Sequence, residues 1–287
     1  VTSTTTVSAS PASITYPSSA TFTATVSSPV GTATGTVTFS DGTTPLGTCT
    51  LGVVTAGACS ISVPGLLGGT HPIVARYSGD ASRSASASST LNFVVNRLAT
   101  TTTLQSGTNP AIYGASVTYT VIVSQAAETG SVSLSEGTAT FGSCLLAAGR
   151  CTITVPGLTG GIHSLIARYP GDTNYGASTS ATLSQQITAA STNTTLSASR
   201  TSASYGTAIT LTGSVSPASL TSAIAFSDGT NGLGSCLPVG GTCSITVSSL
   251  SVGTRSLTAR YVGDQNYATS SSATTFVTIS ATSTSTT

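Results

Sequence analysis

Lysine, methionine and tryptophan are absent from this chain, and only 5% of its 287 residues are charged. The eight basic residues are all arginine and face seven acids, for a net charge of +1, so no basic stripe is available to hold a phosphate backbone. That argues against a nucleic-acid partner. The residues that favour helices, Glu, Lys, Gln and Met, are scarce or missing, which leaves little material for α-structure. No apolar run approaches the ~20 residues a membrane helix needs, so no membrane span is expected in this segment. There are only two histidines, and no HExxH, phosphate-binding loop or paired-carboxylate pattern occurs. The chain is therefore not expected to be an enzyme, and no cofactor or metal is expected. What it has in quantity is Thr, Ser, Ala, Gly and Val. Threonine and valine suit pleated, half-buried strands, and the low charge is unlike that of a disordered chain.

The chain reads as three copies of one unit. "ARYSGDASRSAS" begins at Ala75, "ARYPGDTNYGAS" at Ala167 and "ARYVGDQNYATS" at Ala259, at intervals of 92 residues. "SDGT" at Ser40, "SEGT" at Ser135 and "SDGT" at Ser227 recur with them, as do "VPGL" at Val63 and Val155 and "VSSL" at Val247. The expected domains are 1–97, 98–189 and 190–281. Residues 282–287, "TSTSTT", are in phase with the opening "VTSTTT" and read as the start of a further repeat or an inter-subunit tail.

Within a copy the apolar residues alternate with period two, the mark of strands with one buried face. Ala20, Phe22, Ala24 and Val26 face one way and the intervening threonines the other; Val117, Tyr119, Val121 and Val123 repeat the pattern, as do Ile209, Leu211, Gly213 and Val215. About seven short strands per ~100-residue unit, with turn signals every 8 to 12 residues, indicate an immunoglobulin-like β-sandwich. The predicted fold is all-β, a tandem array of three such domains. The ordered series Ser-Asp-Gly-Thr, a cysteine pair, Val-Pro-Gly-Leu and Ala-Arg-Tyr-x-Gly-Asp-x-x-Tyr resembles the bacterial Ig-like domain group 3 family over nearly the whole chain. The resemblance implies a non-enzymatic, extracellular or cell-surface module, often in tandem arrays.

Each copy holds two cysteines: Cys49 and Cys59, Cys144 and Cys151, Cys236 and Cys243. Glycine-containing segments between them read as turns joining adjacent strands, which predicts a hairpin disulfide in each domain and an oxidising compartment. Zinc would need about four ligands, and neither His71 nor His163 lies at ligand spacing from these pairs. The two histidines share one repeat position, taken by Arg255 in the third copy, and read as lone surface imidazoles. The recurring acids Asp41 with Asp80, Glu136 with Asp172, and Asp228 with Asp264 read as turn caps, with calcium the alternative, although no Asp-x-Asp-x-Asp run gathers the six to eight oxygens it takes. "NTT" at Asn193 matches a glycosylation acceptor.

The alternation sends Tyr77, Tyr169 and Tyr261 into the cores and leaves Arg76, Arg168 and Arg260 outside. After them Gly-Asp makes a turn, with Asp80, Asp172 and Asp264 capping the loop backbone and the preceding arginines near enough to pair with them. In a sandwich of this type that loop lies where the chain enters the domain. Tyr175 and Tyr267 are therefore expected to touch domains 1 and 2 across the junctions. Arg83, in the same place in the first copy, marks a junction of another kind. The leading expectation is a structural rod, part of a stalk or a filament of identical chains or further repeats joined head to tail. The alternative is an adhesin whose exposed loops bind a surface glycan.

Overall fold

The computed structural model describes residues 1–53, 56–125, 130–220 and 222–282; positions 283–287, expected to open a further repeat, lie outside the described residues. Among the described residues the named elements are strands, nine in each repeat. In the first repeat they are β1 (Thr4–Ser10), β2 (Ser13–Thr15), β3 (Ala20–Ser27), β4 (Gly35–Asp41), β5 (Thr44–Leu51), β6 (Ala58–Val63), β7 (Gly69–Tyr77), β8 (Ser86–Ala87) and β9 (Leu91–Asn96). One sheet has the order β1-β3-β6, the other β2-β9-β7-β4-β5 with the short β8 on β7, and the other two repeats reproduce both sheets.

Nine strands stand where seven were expected, partly because the opening segment is divided. β1 pairs antiparallel with β3 in one sheet, and β2 pairs parallel with β9 in the other. The segment runs along the seam of the sandwich, and its backbone groups are satisfied first by one sheet and then by the other. Thr5 and Ile14, both buried, are its inward residues on either side of the crossover.

The alternation read from the sequence is the packing scheme. Ala20, Phe22 and Ala24 are fully buried, and Phe22 meets Phe93 of the opposite sheet edge-on, with ring centroids 5.1 Å apart. Burying a side chain of this size contributes about 1.5–3 kcal/mol. The second repeat builds the same place differently: Tyr119 replaces Phe22, and the fully buried Gln185 replaces Phe93. Gln185 is tolerated because its amide donates to the carbonyls of Thr108 and Gln186 while its oxygen accepts from the Ser106 hydroxyl. In the third repeat Gly213 occupies an inward position, and a β-carbon there would press on Ile224. The first repeat has Ala24 with Val37 where the third has Gly213 with Ile224, so volume is conserved across the sheets.

Disulfides join Cys49–Cys59, Cys144–Cys151 and Cys236–Cys243, with Cα atoms 5.8, 5.8 and 5.9 Å apart. Their setting corrects the hairpin reading. Cys49 lies on β5 opposite Val37, Cys59 on β6 opposite Ala24, and β5 and β6 belong to different sheets. The bridge therefore staples the two sheets at one edge of the sandwich. A short Gly-rich connection is the same in sequence whether it turns within a sheet or passes to the other.

Candidate functional site at the domain junctions

The repeated Gly-Asp loop is built by its aspartate. In the second repeat Asp172 Oδ1 accepts from the N–H groups of Asn174 and Tyr175, both at 2.8 Å, while its own N–H donates to the Tyr175 carbonyl at 3.0 Å. Asp264 does the same for Asn266 and Tyr267, and Asp80 for Ser82 and Arg83. Gly171 has φ 82°, and a β-carbon on it would crowd the Tyr175 carbonyl at 2.7 Å, so this position needs glycine on both counts. The N–H groups of Ser82 and Thr34 are foremost among the interactions that hold the Asp80 carboxyl well below its usual range. For Asp264, burial pushes upward but is outweighed by the Asn266 and Tyr267 N–H groups and the Ser222 and Tyr261 hydroxyls, so the pKa is lowered.

The capping role expected of the arginines is not what they do. Arg76, Arg168 and Arg260 are exposed, and among the described residues no ion pair joins them to Asp80, Asp172 or Asp264. Their strand alternates, so a tyrosine directed into the core directs the preceding arginine outward, away from the loop. Tyr77, 2% exposed, donates to the Thr34 carbonyl at 2.6 Å, and Tyr261 donates to Asp264. Burial, followed by the charge of Asp172, pushes the Tyr169 hydroxyl up to about 12.

The loop shaped by Asp172 faces the preceding domain. The Asn174 side-chain oxygen accepts from the Gly68 N–H at 2.9 Å, and the Tyr175 ring meets Tyr16 edge-on at 5.8 Å and 74°. At the second junction Asn266 accepts from the Gly160 N–H at 2.7 Å, Tyr267 meets Tyr113 at 5.2 Å and 75°, and the Gln265 amide donates to the Gly160 carbonyl. Tyr16 follows β2, and its N–H donates to Asn96 at the end of β9, so it stands where the chain leaves the domain. The linkers are very short. β9 ends at Asn96, and by Leu98 the chain is hydrogen-bonded into the next domain, through Asn174 and Gly176. Ala190 is held in the same way by Asn266 and Ala268. In the first repeat the Val1 carbonyl takes the corresponding bond from Ser84. There Arg83, expected to mark a junction, turns into its own domain, with Nη1 2.9 Å from Asp80 and Nη2 donating to the Val30 carbonyl.

The histidines are not lone imidazoles. His71 Nδ1 is 2.6 Å from Asp41 Oδ2 and its Nε2 is 2.8 Å from the Leu67 carbonyl; His163 is placed likewise between Glu136, at 2.8 Å, and the Thr159 carbonyl, at 2.9 Å. A carbonyl and a carboxylate both accept, so this placement satisfies both ring nitrogens when the ring is doubly protonated. Burial lowers these pKa values, but the hydrogen bonds to the acid and to the carbonyl, with the acid's charge, outweigh it and raise both above 6.5. Arg255 meets Asp228 at 2.6 Å in the third repeat. The signal in the sequence was covariation between copies, an acid at the strand end always matched by a cation. Leu67 and Thr159 immediately precede Gly68 and Gly160, so His71 and His163 hold the backbone that docks the next domain.

Among the described residues no group of three or more His, Cys, Asp or Glu could hold a metal. Among those residues no helix is long and apolar enough to cross a membrane. Sequence reading missed Asn174, Asn266, Gln265, Tyr16, Tyr113, Gly68 and Gly160 as junction residues. Most recur between copies, but without the fold nothing paired them.

Compared with known proteins, the chain matches the family described as bacterial Ig-like domain (group 3) over residues 6–96, 102–188 and 196–280. Among curated protein sequences none matches. Among solved structures, a crystal structure of a tetra-tandem repeat in the extending region of a large adhesion protein aligns with 96% of this chain and 74% of that one, at 17% identity and a TM-score of 0.55. A D1–D4 ectodomain fragment of ICAM-5 aligns with 96% of this chain and 77% of its own, at 14% identity and a TM-score of 0.42.

Proposed function

The chain belongs to the bacterial Ig-like domain (group 3) family, and on that premise we propose that it is a rigid spacer, part of a stalk that holds another element away from a bacterial surface. The observation that carries this reading is the junction. A linker that passes into the next domain's hydrogen bonds within two residues, a pair of edge-on tyrosines and a Gly N–H to Asn bond occur at both domain boundaries. Such connections leave little freedom for one domain to swing on the next, unlike the flexible linkers that join independent modules. The tetra-tandem repeat of similar fold lies in the extending region of a large adhesion protein, and a spacer has the same kind of place. Three disulfides support an extracellular location, since such bonds persist in oxidising surroundings. The filament form of the reading, with identical chains or further repeats joined head to tail, needs contacts at the outer faces of the first and third repeats.

The test is backbone relaxation of the full chain in solution. A rigid spacer tumbles as one elongated body, so amides in all three domains fit a single anisotropic diffusion tensor. Three separate, shorter correlation times would overturn the proposal. If a glycan perturbed loop resonances on such freely tumbling domains, the adhesin reading would take its place.

A further inference from the structure

Each junction has a plug and a socket. The plug is the Asn-Tyr pair of the entering loop; the socket is the tyrosine where the preceding domain ends, together with Gly68 or Gly160. Neither glycine takes the left-handed backbone that would by itself call for glycine. A β-carbon on Gly68 would overlap the Thr173 carbonyl oxygen, and one on Gly160 the Gln265 carbonyl oxygen. What excludes a side chain at these two positions is the next domain.

The third repeat keeps the tyrosine and loses the glycine. Tyr205 stands where Tyr16 and Tyr113 stand and is 53% exposed; Val252 stands where Gly68 and Gly160 stand and is 54% exposed. The first repeat keeps the loop and loses the plug, with Ser82 and Arg83 in place of the asparagine and tyrosine and Arg83 tied back to Asp80 and Val30. We infer that the glycine is the gate of this junction and that Val252 closes the outer face of the third repeat to any repeat bearing the asparagine–tyrosine loop. Two copies of this chain have no head-to-tail union through the junction, because the socket is closed on one and the plug is missing from the other. A repeat placed beyond the third is joined by other contacts. This conclusion does not depend on whether the protein spaces or adheres.

The experiment extends the full chain, in phase after residue 281, with a second copy of its own residues 190–281, which brings the Gln265-Asn266-Tyr267 loop to the third socket. Hydrogen exchange is read at the amides of positions 68, 160 and 252, and core amides of the added repeat report that it has folded. With Val252 the amide at position 252 gains no protection from the added repeat; with Val252→Gly its protection rises at least tenfold, towards that of Gly160. Equal protection of position 252 with and without the substitution overturns the inference. Gly160→Val in the unextended chain is the reciprocal arm. Protection at position 160 falls at least tenfold while core amides of both neighbouring domains hold, and a retained junction in this variant also overturns the inference.

Discussion

Replacing the aromatic pair at the first junction tests the junction argument quantitatively. The edge-on contact of Tyr16 and Tyr175, at 5.8 Å and 74°, contributes about 0.5–1.5 kcal/mol beyond simple burial. The bond from the Gly68 N–H to Asn174, at 2.9 Å, adds about 1 kcal/mol net. Together these amount to about 1.5–2.5 kcal/mol, or roughly 10- to 70-fold in the ratio of docked to undocked junction. The Gly68 amide is the reporter, because its exchange requires the junction to open. Asn174→Ala is expected to raise its exchange about fivefold. Tyr175 also packs on the core of its own domain, so Tyr175→Ser alone overstates the junction. A double-mutant cycle of Tyr16→Ser and Tyr175→Ser isolates the shared part, expected at about 0.5–1.5 kcal/mol. A coupling of zero between the two tyrosines, with Gly68 exchange unchanged in Asn174→Ala, would refute the reasoning.

Further expectations concern the separate domains. Among the described residues the buried Tyr119 hydroxyl has no hydrogen-bond partner, and burial, helped by the charge of Glu136, pushes its pKa up to about 12. Tyr119→Phe, the residue type at the equivalent Phe22, should stabilise the second domain by about 1 kcal/mol, since an orphaned buried hydroxyl costs about 1–3 kcal/mol; a lower midpoint in thermal unfolding would count against it. His71 and His163 have folded pKa values raised above 6.5, so their contribution is complete below that pH and is lost as pH rises through the folded value. Glu136, whose burial is outweighed by its bond to His163, is lowered from 4.5, so its contribution is present above that pH and lost as pH falls through the folded value. Amide exchange at Gly68 and Gly160 should accordingly speed up on the alkaline side. His163→Arg, copying Arg255, should abolish that step at Gly160; an unchanged pH profile in the variant would show that the imidazole does not hold the loop. Reducing Cys144–Cys151 should destabilise the second domain by about 2–3 kcal/mol on the chain-entropy view, measured by denaturant unfolding with and without reductant.

Much of the architecture is legible in the sequence because its causes are local and repeated. Period-two alternation in segments such as Ala20 to Val26 specifies strands with one buried face, and three copies of each anchor make the units visible. The cysteine pairs follow from short, Gly-containing connections. Tyr175 and Tyr267 stood out as junction candidates because they recur after a turn placed where the chain enters its domain. Arg76, Arg168 and Arg260 misled because closeness along the chain suggested pairing with the loop acids, while the alternation of the strand directs them away.

The amino-acid sequence alone determined the strands, the three repeats, the inward tyrosines and the pairing of cysteines, since each depends on neighbours a few residues away or on a pattern seen three times. Tertiary structure decided that β5 and β6 lie in different sheets, so that the disulfides join the sheets. It also decided that His71 and His163 sit between an acid and a carbonyl, and that Gly68 and Gly160 are bare because another domain rests on them. Asn174 and Gly68 are 106 residues apart, as are Asn266 and Gly160. Contacts over such separations are set by how whole domains meet, and no local preference of glycine or asparagine encodes them.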